Sequence, residues 1–263
     1  MTTVLDVKNA VERLAPAFMK EDWDNVGLLC GCSSAPVHKI LVALDPFLNV
    51  CREAAEVGAD LIVTHHPLIF QPVSSVTDDN TVGQSILFLA QHGIAAINAH
   101  TNLDKALGGV NDRLAEVLGL RNAAVLNPEG TDERGRPWGL LRIGEKDETT
   151  ASVFAAFVKE TLGCPGLRYV DGGRPITRVA VGGGACAGAI RDVADAGCDA
   201  FVTADVKYNQ FWDALELGLT LIDAGHFETE NPVCAVLAAH LRAEFADIPV
   251  VLAEKHSDPV QFL

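Results

Sequence analysis

The sequence predicts an α/β fold of two related α/β lobes, the product of an internal duplication, with mixed, largely parallel sheets flanked by helices. Three observations predict it. Short aliphatic runs of strand length alternate with amphipathic segments of helix length. Hydrophobic residues make up 49% and charged residues 21%, with only 6% aromatics, so the chain reads as a packed globular protein with an aliphatic core. Two stretches of the first half recur in the second in the same order.

The elements follow in order. Residues 1–14, MTTVLDVKNAVERL, place Val4, Val7, Val11 and Leu14 on one helical stripe. Residues 40–44 read as a buried strand, 50–57 as a helix and 60–64 as a strand. Residues 81–92 then read as a helix, 94–98 as a strand and 110–118 as a helix. Later, 179–181, 200–203 and 219–223 are strand-like, separated by helices near 187–196 and 208–217. Residues 55–64 (AEVGADLIVT) match 194–203 (ADAGCDAFVT), and 92–99 match 217–224. The offset falls from 139 to 125 residues between these pairs, so the first half carries extra residues in the loop that begins at His65. The first lobe is expected over 1–122, completed by 231–263, and the second over 123–230.

The bulk chemistry excludes some functions. Net charge is -15 with no basic run, which argues against nucleic acid and anionic membrane surfaces as partners. The N-terminus lacks the apolar core of a signal peptide, and no stretch is long and apolar enough to span a bilayer. Seven cysteines with no C-x-x-C spacing fit free thiols in a reducing compartment, so a cytoplasmic location is expected.

What differs between the copies carries chemistry. After its matched strand the first half has His65-His66, where the second has Ala204-Asp205. Neighbouring side chains on a regular strand point to opposite faces, so the backbone must turn if both imidazoles serve one site. Pro67 keeps a helix from starting there. Asn98 to Asp104 also leaves a strand. Asp104 is a helix N-cap or a hard oxygen ligand, and His100 a ligand, a proton shuttle or a hydrogen-bond partner. A third strand is followed by His226 and Glu230, four apart and so on one helical face; the plainer reading is acidic residues at a helix start. Ligands of open α/β sheets gather at the carboxyl ends of strands. Three imidazoles and two carboxylates at such ends (His65, His66, Asp104, His226, Glu230) suit two divalent ions, zinc, iron, manganese or nickel, roughly 3.5–4 Å apart. Two lesser features are the glycine loop Gly182-Gly183-Gly184, a tight turn or a phosphate cradle, and the polar turn Asp22-Trp23-Asp24-Asn25.

The segments DWDNVGLLCG, HHPLIF, AHTNLDKALGGVND, GGGACAG and DAGHFETE together resemble the family known as GTP cyclohydrolase I type 2 homologues, or Nif-three-like proteins. The resemblance runs from about Leu5 to Pro259, in the short form without an insert. It implies a dinuclear metal site on His65, His66, Asp104, His226 and Glu230, two α/β lobes, and a homohexamer with sites facing an interior cavity. One departure is that Ala204 and Asn209 stand where the family commonly has Gly and His. The expected function is metal-dependent hydrolysis of a small molecule, a nucleotide or another phosphorylated metabolite, with His100 moving a proton. The alternative is a non-enzymatic protein that holds or delivers metal or partners an assembly.

Overall fold

The computed structural model describes residues 1–263. They form two compact units, Met1–Gly109 with Val233–Ser257, and Val110–Pro232 with Asp258–Leu263.

The first unit runs α1 (Val4–Leu14), β1 (Gly27–Cys30), β2 (Ile40–Ala43), α2 (Leu48–Val57), β3 (Leu61–Thr64), α3 (Thr81–His92), β4 (Ala95–Asn98) and α4 (Thr101–Lys105). The second unit runs α5 (Val110–Val117), β5 (Arg121–Leu126), β6 (Gly130–Thr131), β7 (Pro137–Trp138), β8 (Leu141–Thr149), α6 (Ala151–Leu162), β9 (Arg168–Val170), β10 (Ile176–Val181), α7 (Ile190–Asp195), β11 (Ala200–Thr203), α8 (Tyr208–Glu216), β12 (Thr220–Asp223) and α9 (His226–Glu230). The chain then passes back to the first unit through α10 (Pro232–Glu244) and β13 (Val250–Leu252).

In the first unit a five-stranded sheet has the order β1-β4-β3-β2-β13. β4, β3, β2 and β13 run parallel, and β1 closes the edge antiparallel to β4. Every residue of β2, β3 and β4 is buried, which is why these strands read as continuous apolar runs rather than alternating ones. Leu41, Ala43, Ile62 and Ala96 pack with Val50, Cys51 and Ala54 of α2 and Leu89 of α3. Burial of each such Leu or Ile stabilises by about 1.5–3 kcal/mol. The helices start where short polar residues satisfy open backbone donors: Thr3 and Asp6 form a capping box on α1, and Asn80 accepts from Gly83 on α3.

The second unit holds a six-stranded sheet of order β5-β8-β10-β11-β12-β9. β10, β11 and β12 are parallel; β8, β5 and β9 pair antiparallel. Side chains alternate between two apolar layers, as a strand requires. Val179, Val181, Val202 and Ile222 meet Phe154 and Val158 of α6 on one face. Ala180, Phe201 and Leu221 meet Ile190, Val193 and Ala214 on the other. Buried Arg142 is neutralised by Asp112 and donates to the Gly139 carbonyl oxygen.

The expected strands at 40–44, 60–64, 94–98, 179–181, 200–203 and 219–223 occupy β2, β3, β4, β10, β11 and β12. The helix expected near 187–196 is shorter: residues 187–189 form a 3-10 turn and the α-helix begins at Ile190. Gly188, a poor helix former, sits in that turn. No helix is long and apolar enough to cross a membrane.

Candidate metal centre

Parallel pairing brings the carboxyl ends of β2, β3 and β4 to one edge of the first sheet. Ala43 pairs with Thr64 and Thr64 with Asn98, so Asp45, His65-His66 and Ala99-His100 all leave from that edge. The chain bends at once after β3. The His66 amide donates to the Leu44 carbonyl at 2.8 Å, and the Thr64 hydroxyl donates to the His66 carbonyl at 2.7 Å. This turn places the two adjacent imidazoles on the same side, ring centroids 4.9 Å apart. The His100 ring lies 5.3 Å from His65 and 5.6 Å from His66. His65, His66 and His100 each offer a ring nitrogen, and these atoms lie within 4.8 Å of one another, so the cluster can hold a metal ion.

Each ring is held through Nδ1. His65 donates to the Ala99 carbonyl at 2.9 Å, His66 to Asp45 at 2.6 Å and His100 to Asp24 at 2.8 Å. A carbonyl or carboxylate oxygen only accepts, so Nδ1 is the donor in each of these bonds. Metal-binding imidazoles are oriented in this way. Asp24 is fixed further by the Thr101 amide at 3.0 Å and hydroxyl at 2.5 Å. Burial pushes the Asp24 carboxyl up, but hydrogen bonds from His100 and Thr101 outweigh it and hold the group well below the usual carboxylate range. Asp45 shows the same balance, with burial opposed by hydrogen bonds from His256 and His66, and again lies well below that range.

Asp104 does not cap a helix; it lies inside α4, its amide bonded to the His100 carbonyl at 3.1 Å. One carboxylate oxygen stands 3.5 Å from His65 Nε2. The exposed rings of Trp23 and Phe70 meet edge to face at 5.8 Å, and each lies edge-on to His100, at 6.3 and 6.0 Å. Asn25 donates to the Ile69 carbonyl at 2.6 Å, tying the two segments that carry them.

In the second unit the corresponding edge lies beyond β10, β11 and β12. His226 opens α9 and Glu230 closes it, and His226 Nε2 stands 3.0 Å from a Glu230 oxygen. His226 Nδ1 donates to Asp205 at 2.8 Å. Asp205 follows β11 with φ 53°, a left-handed conformation that Asp tolerates better than most residues. Glu228 lies apart from this pair. Its carboxyl sits over Gly225 and is pushed up by burial, with Asp258 beside it.

The glycine loop after β10 serves this pair. The Gly183 amide donates to Asn111 at 2.7 Å and the Gly184 amide to the Thr229 hydroxyl at 3.0 Å, so these donors are used within the protein rather than turned to a phosphate. Gly184 has φ 62°, and a Cβ there would overlap the Glu230 carboxylate and come within 3.1 Å of His226 Nε2. The backbone thus passes directly against the two candidate ligands, an approach only glycine allows.

The family model for Duf34/NIF3 (NGG1p interacting factor 3) matches residues 2–259. The chain belongs to the DUF34/NIF3 family. A Clostridium perfringens protein named GTP cyclohydrolase 1 type 2 homolog is 34% identical over 98% of each chain. Among solved structures, a Staphylococcus aureus hypothetical protein matches with a TM-score of 0.92 at 32% identity over 99% of each chain. A Bacillus cereus protein related to NIF3 matches with a TM-score of 0.93 at 26% identity, covering 100% of this chain and 99% of that one.

Within this DUF34/NIF3 chain, the departure at Ala204 carries no backbone cost. Its φ is not positive, its amide donates to the Gly184 carbonyl at 2.9 Å, and its methyl is buried. Asn209 is exposed in the first turn of α8. Sequence reasoning singled out the imidazoles but missed the carboxylates that orient them. Asp24 entered only as part of a polar turn, and Asp45 and Asp205 were passed over as ring anchors. Asp45 follows a buried strand as closely as His66 does, which is the signal that marks it.

Proposed function

We propose that this protein is a divalent-metal-dependent hydrolase acting on a nucleotide or another phosphorylated metabolite. The proposed ligands are His65, His66, Asp104, His226 and Glu230, holding two ions. The observation that supports it most is a shared anchoring: His65, His66, His100 and His226 each hold Nδ1 on an oxygen acceptor, the way metal-binding imidazoles are oriented. Nitrogen donors with carboxylate oxygens fit borderline divalent ions such as zinc, iron, manganese or nickel. When bound, such ions supply Lewis acidity and lower the pKa of water.

The chain's own residues do the rest. Asp104 and Glu230 add the negative charge that offsets the cations. His100, held by Asp24 and not counted among the ligands, moves a proton through Nε2. Trp23 and Phe70 offer exposed aromatic surface beside His100, which favours a substrate with a planar ring, a nucleobase above all. The name of the Clostridium perfringens relative agrees with that substrate class. The proposal extends to a homohexamer in the cytoplasm, read from the family resemblance and from seven free thiols.

Anaerobic purification with elemental analysis, then a metabolite screen with the metal restored, tests the reading. Turnover that depends on metal and disappears in Glu230→Gln, with the fold retained, supports the hydrolase. Tight metal binding with no turnover across the panel moves the protein to metal holding or delivery. Light scattering at six times the 27.9 kDa chain mass supports the hexamer, and a monomer removes it.

A further inference from the structure

Asp45 serves two imidazoles. One oxygen accepts from His66 Nδ1 at 2.6 Å, and the other lies 3.4 Å from His256 Nε2. His256 stands in the segment that follows β13, and its side chain is only 7% exposed. That segment is not held by chance contacts. Glu53, on α2 and 4% exposed, accepts the Glu254 amide on one carboxylate oxygen at 2.6 Å and the Lys255 amide on the other at 2.9 Å. Asn49, one turn earlier on α2, donates to the Lys255 carbonyl at 2.6 Å. A buried carboxylate and an amide are thus committed to the backbone just before His256. A buried charge spent on two loop amides fixes that loop far more firmly than apolar contact does.

We infer that His256 is a positioning residue for His66, acting through Asp45. A carboxylate turns readily about its last side-chain bond unless both oxygens are held. With Nε2–H of His256 on Oδ2, Oδ1 stays on His66 Nδ1, and the His66 ring keeps the tautomer and direction that present Nε2 to the cluster. The C-terminal segment is therefore a structural arm of the candidate centre, clamped by Glu53 and ending on Asp45.

The inference rests on the proposed metal role only in taking His66 as a ligand, and its test separates the two. The full-length chain is labelled with 15N at histidine, and the His66 ring shifts are read without metal; Co(II) is then titrated and its visible absorption followed. His256→Phe keeps the ring volume and removes the donor, and His256→Gln restores an N–H. His256→Phe is expected to mix the His66 tautomers and to weaken Co(II) binding about 10-fold, at the low end of outer-shell effects. His256→Gln is expected to recover both. His66 shifts that stay unchanged in His256→Phe overturn the inference, and so does a loss that Gln fails to rescue, since that would be packing alone. If His256→Phe does not fold, His256→Ala carries the same comparison. Wild-type protein that takes up no Co(II), while its His66 shifts still respond to His256→Phe, removes the metal function and leaves the positioning role standing.

Discussion

β3 and β11 hold equivalent places in their sheets. Each is the middle of three parallel strands, β4-β3-β2 and β12-β11-β10, with an earlier strand, β1 or β9, closing the edge antiparallel. In both units the strand beside it leads into a five-residue helix, and a histidine stands four residues before a carboxylate there: His100 with Asp104, His226 with Glu230. Yet the chain leaves β3 as His65-His66 and β11 as Ala204-Asp205. One topology therefore carries two chemistries. In the first unit the strand end presents imidazoles, whose anchors Asp45 and Ala99 come from neighbouring strand ends. In the second it presents the anchor itself, Asp205, and the imidazole comes from α9. The lesson is that the frame fixes where side chains gather, while one dipeptide decides whether a strand end supplies the imidazoles or the carboxylate that holds one in place.

The largest effect is expected where that dipeptide is exchanged. Converting His65-His66 to the Ala-Asp of the second unit should lower divalent cation uptake by at least about 100-fold, because two nitrogen donors are lost together. Unfolding by heat should stay a single cooperative transition, since the sheet beneath keeps its apolar packing. Cation content by elemental analysis and circular dichroism check the two halves of this statement.

A glycine comparison sharpens the contrast within the second unit. Gly184→Ala must relieve overlap with the Glu230 carboxylate in a left-handed backbone, and should destabilise by about 2–3 kcal/mol and also loosen cation binding. Gly58, the left-handed end of α2, has φ 70° and open space around it, so Gly58→Ala should cost only about 1 kcal/mol and leave binding intact. Urea denaturation of both variants measures the difference.

Asp24→Asn probes the better buried anchor. Loss of its charged hydrogen bonds should cost about 1.5–3 kcal/mol at neutral pH. The Asp24 carboxyl is depressed in the folded chain, so its stabilisation is full above the unfolded value of about 3.9 and fades as pH falls through the folded one. The gap between wild type and Asp24→Asn, measured in the metal-free protein, should therefore be constant from pH 7 to 5 and close below about pH 4. A gap that widened on acidification would contradict the assignment. Asp205→Asn is the weak counterpart. Its side chain is 55% exposed, so solvent screens the contact with His226 and the expected loss is below about 1 kcal/mol.

Legibility followed burial. β2, β3, β4, β11 and β12 could be read because burial on both faces leaves unbroken apolar runs between helix-length segments. β8 could not: Leu141–Thr149 has a charged, partly exposed second half, and β5 is mostly exposed, so neither shows a run or a clean alternation. α6 escaped notice although Thr150 caps it and Gly163 ends it. The histidines were legible because each follows a strand. Their anchors were not, because each pairing joins separate elements: Asp24 and His100 are 76 residues apart, Asp45 and His66 are 21 apart, and Asp205 and His226 are 21 apart.

The proposed ligand set is tested most directly by the number of cations it holds. Metal-free wild type, His65→Ala and His226→Ala, each titrated with zinc by calorimetry, give the direct test. Two equivalents in wild type, with binding weakened by either substitution, is the predicted result. Zinc binding in His226→Ala indistinguishable from wild type would contradict it.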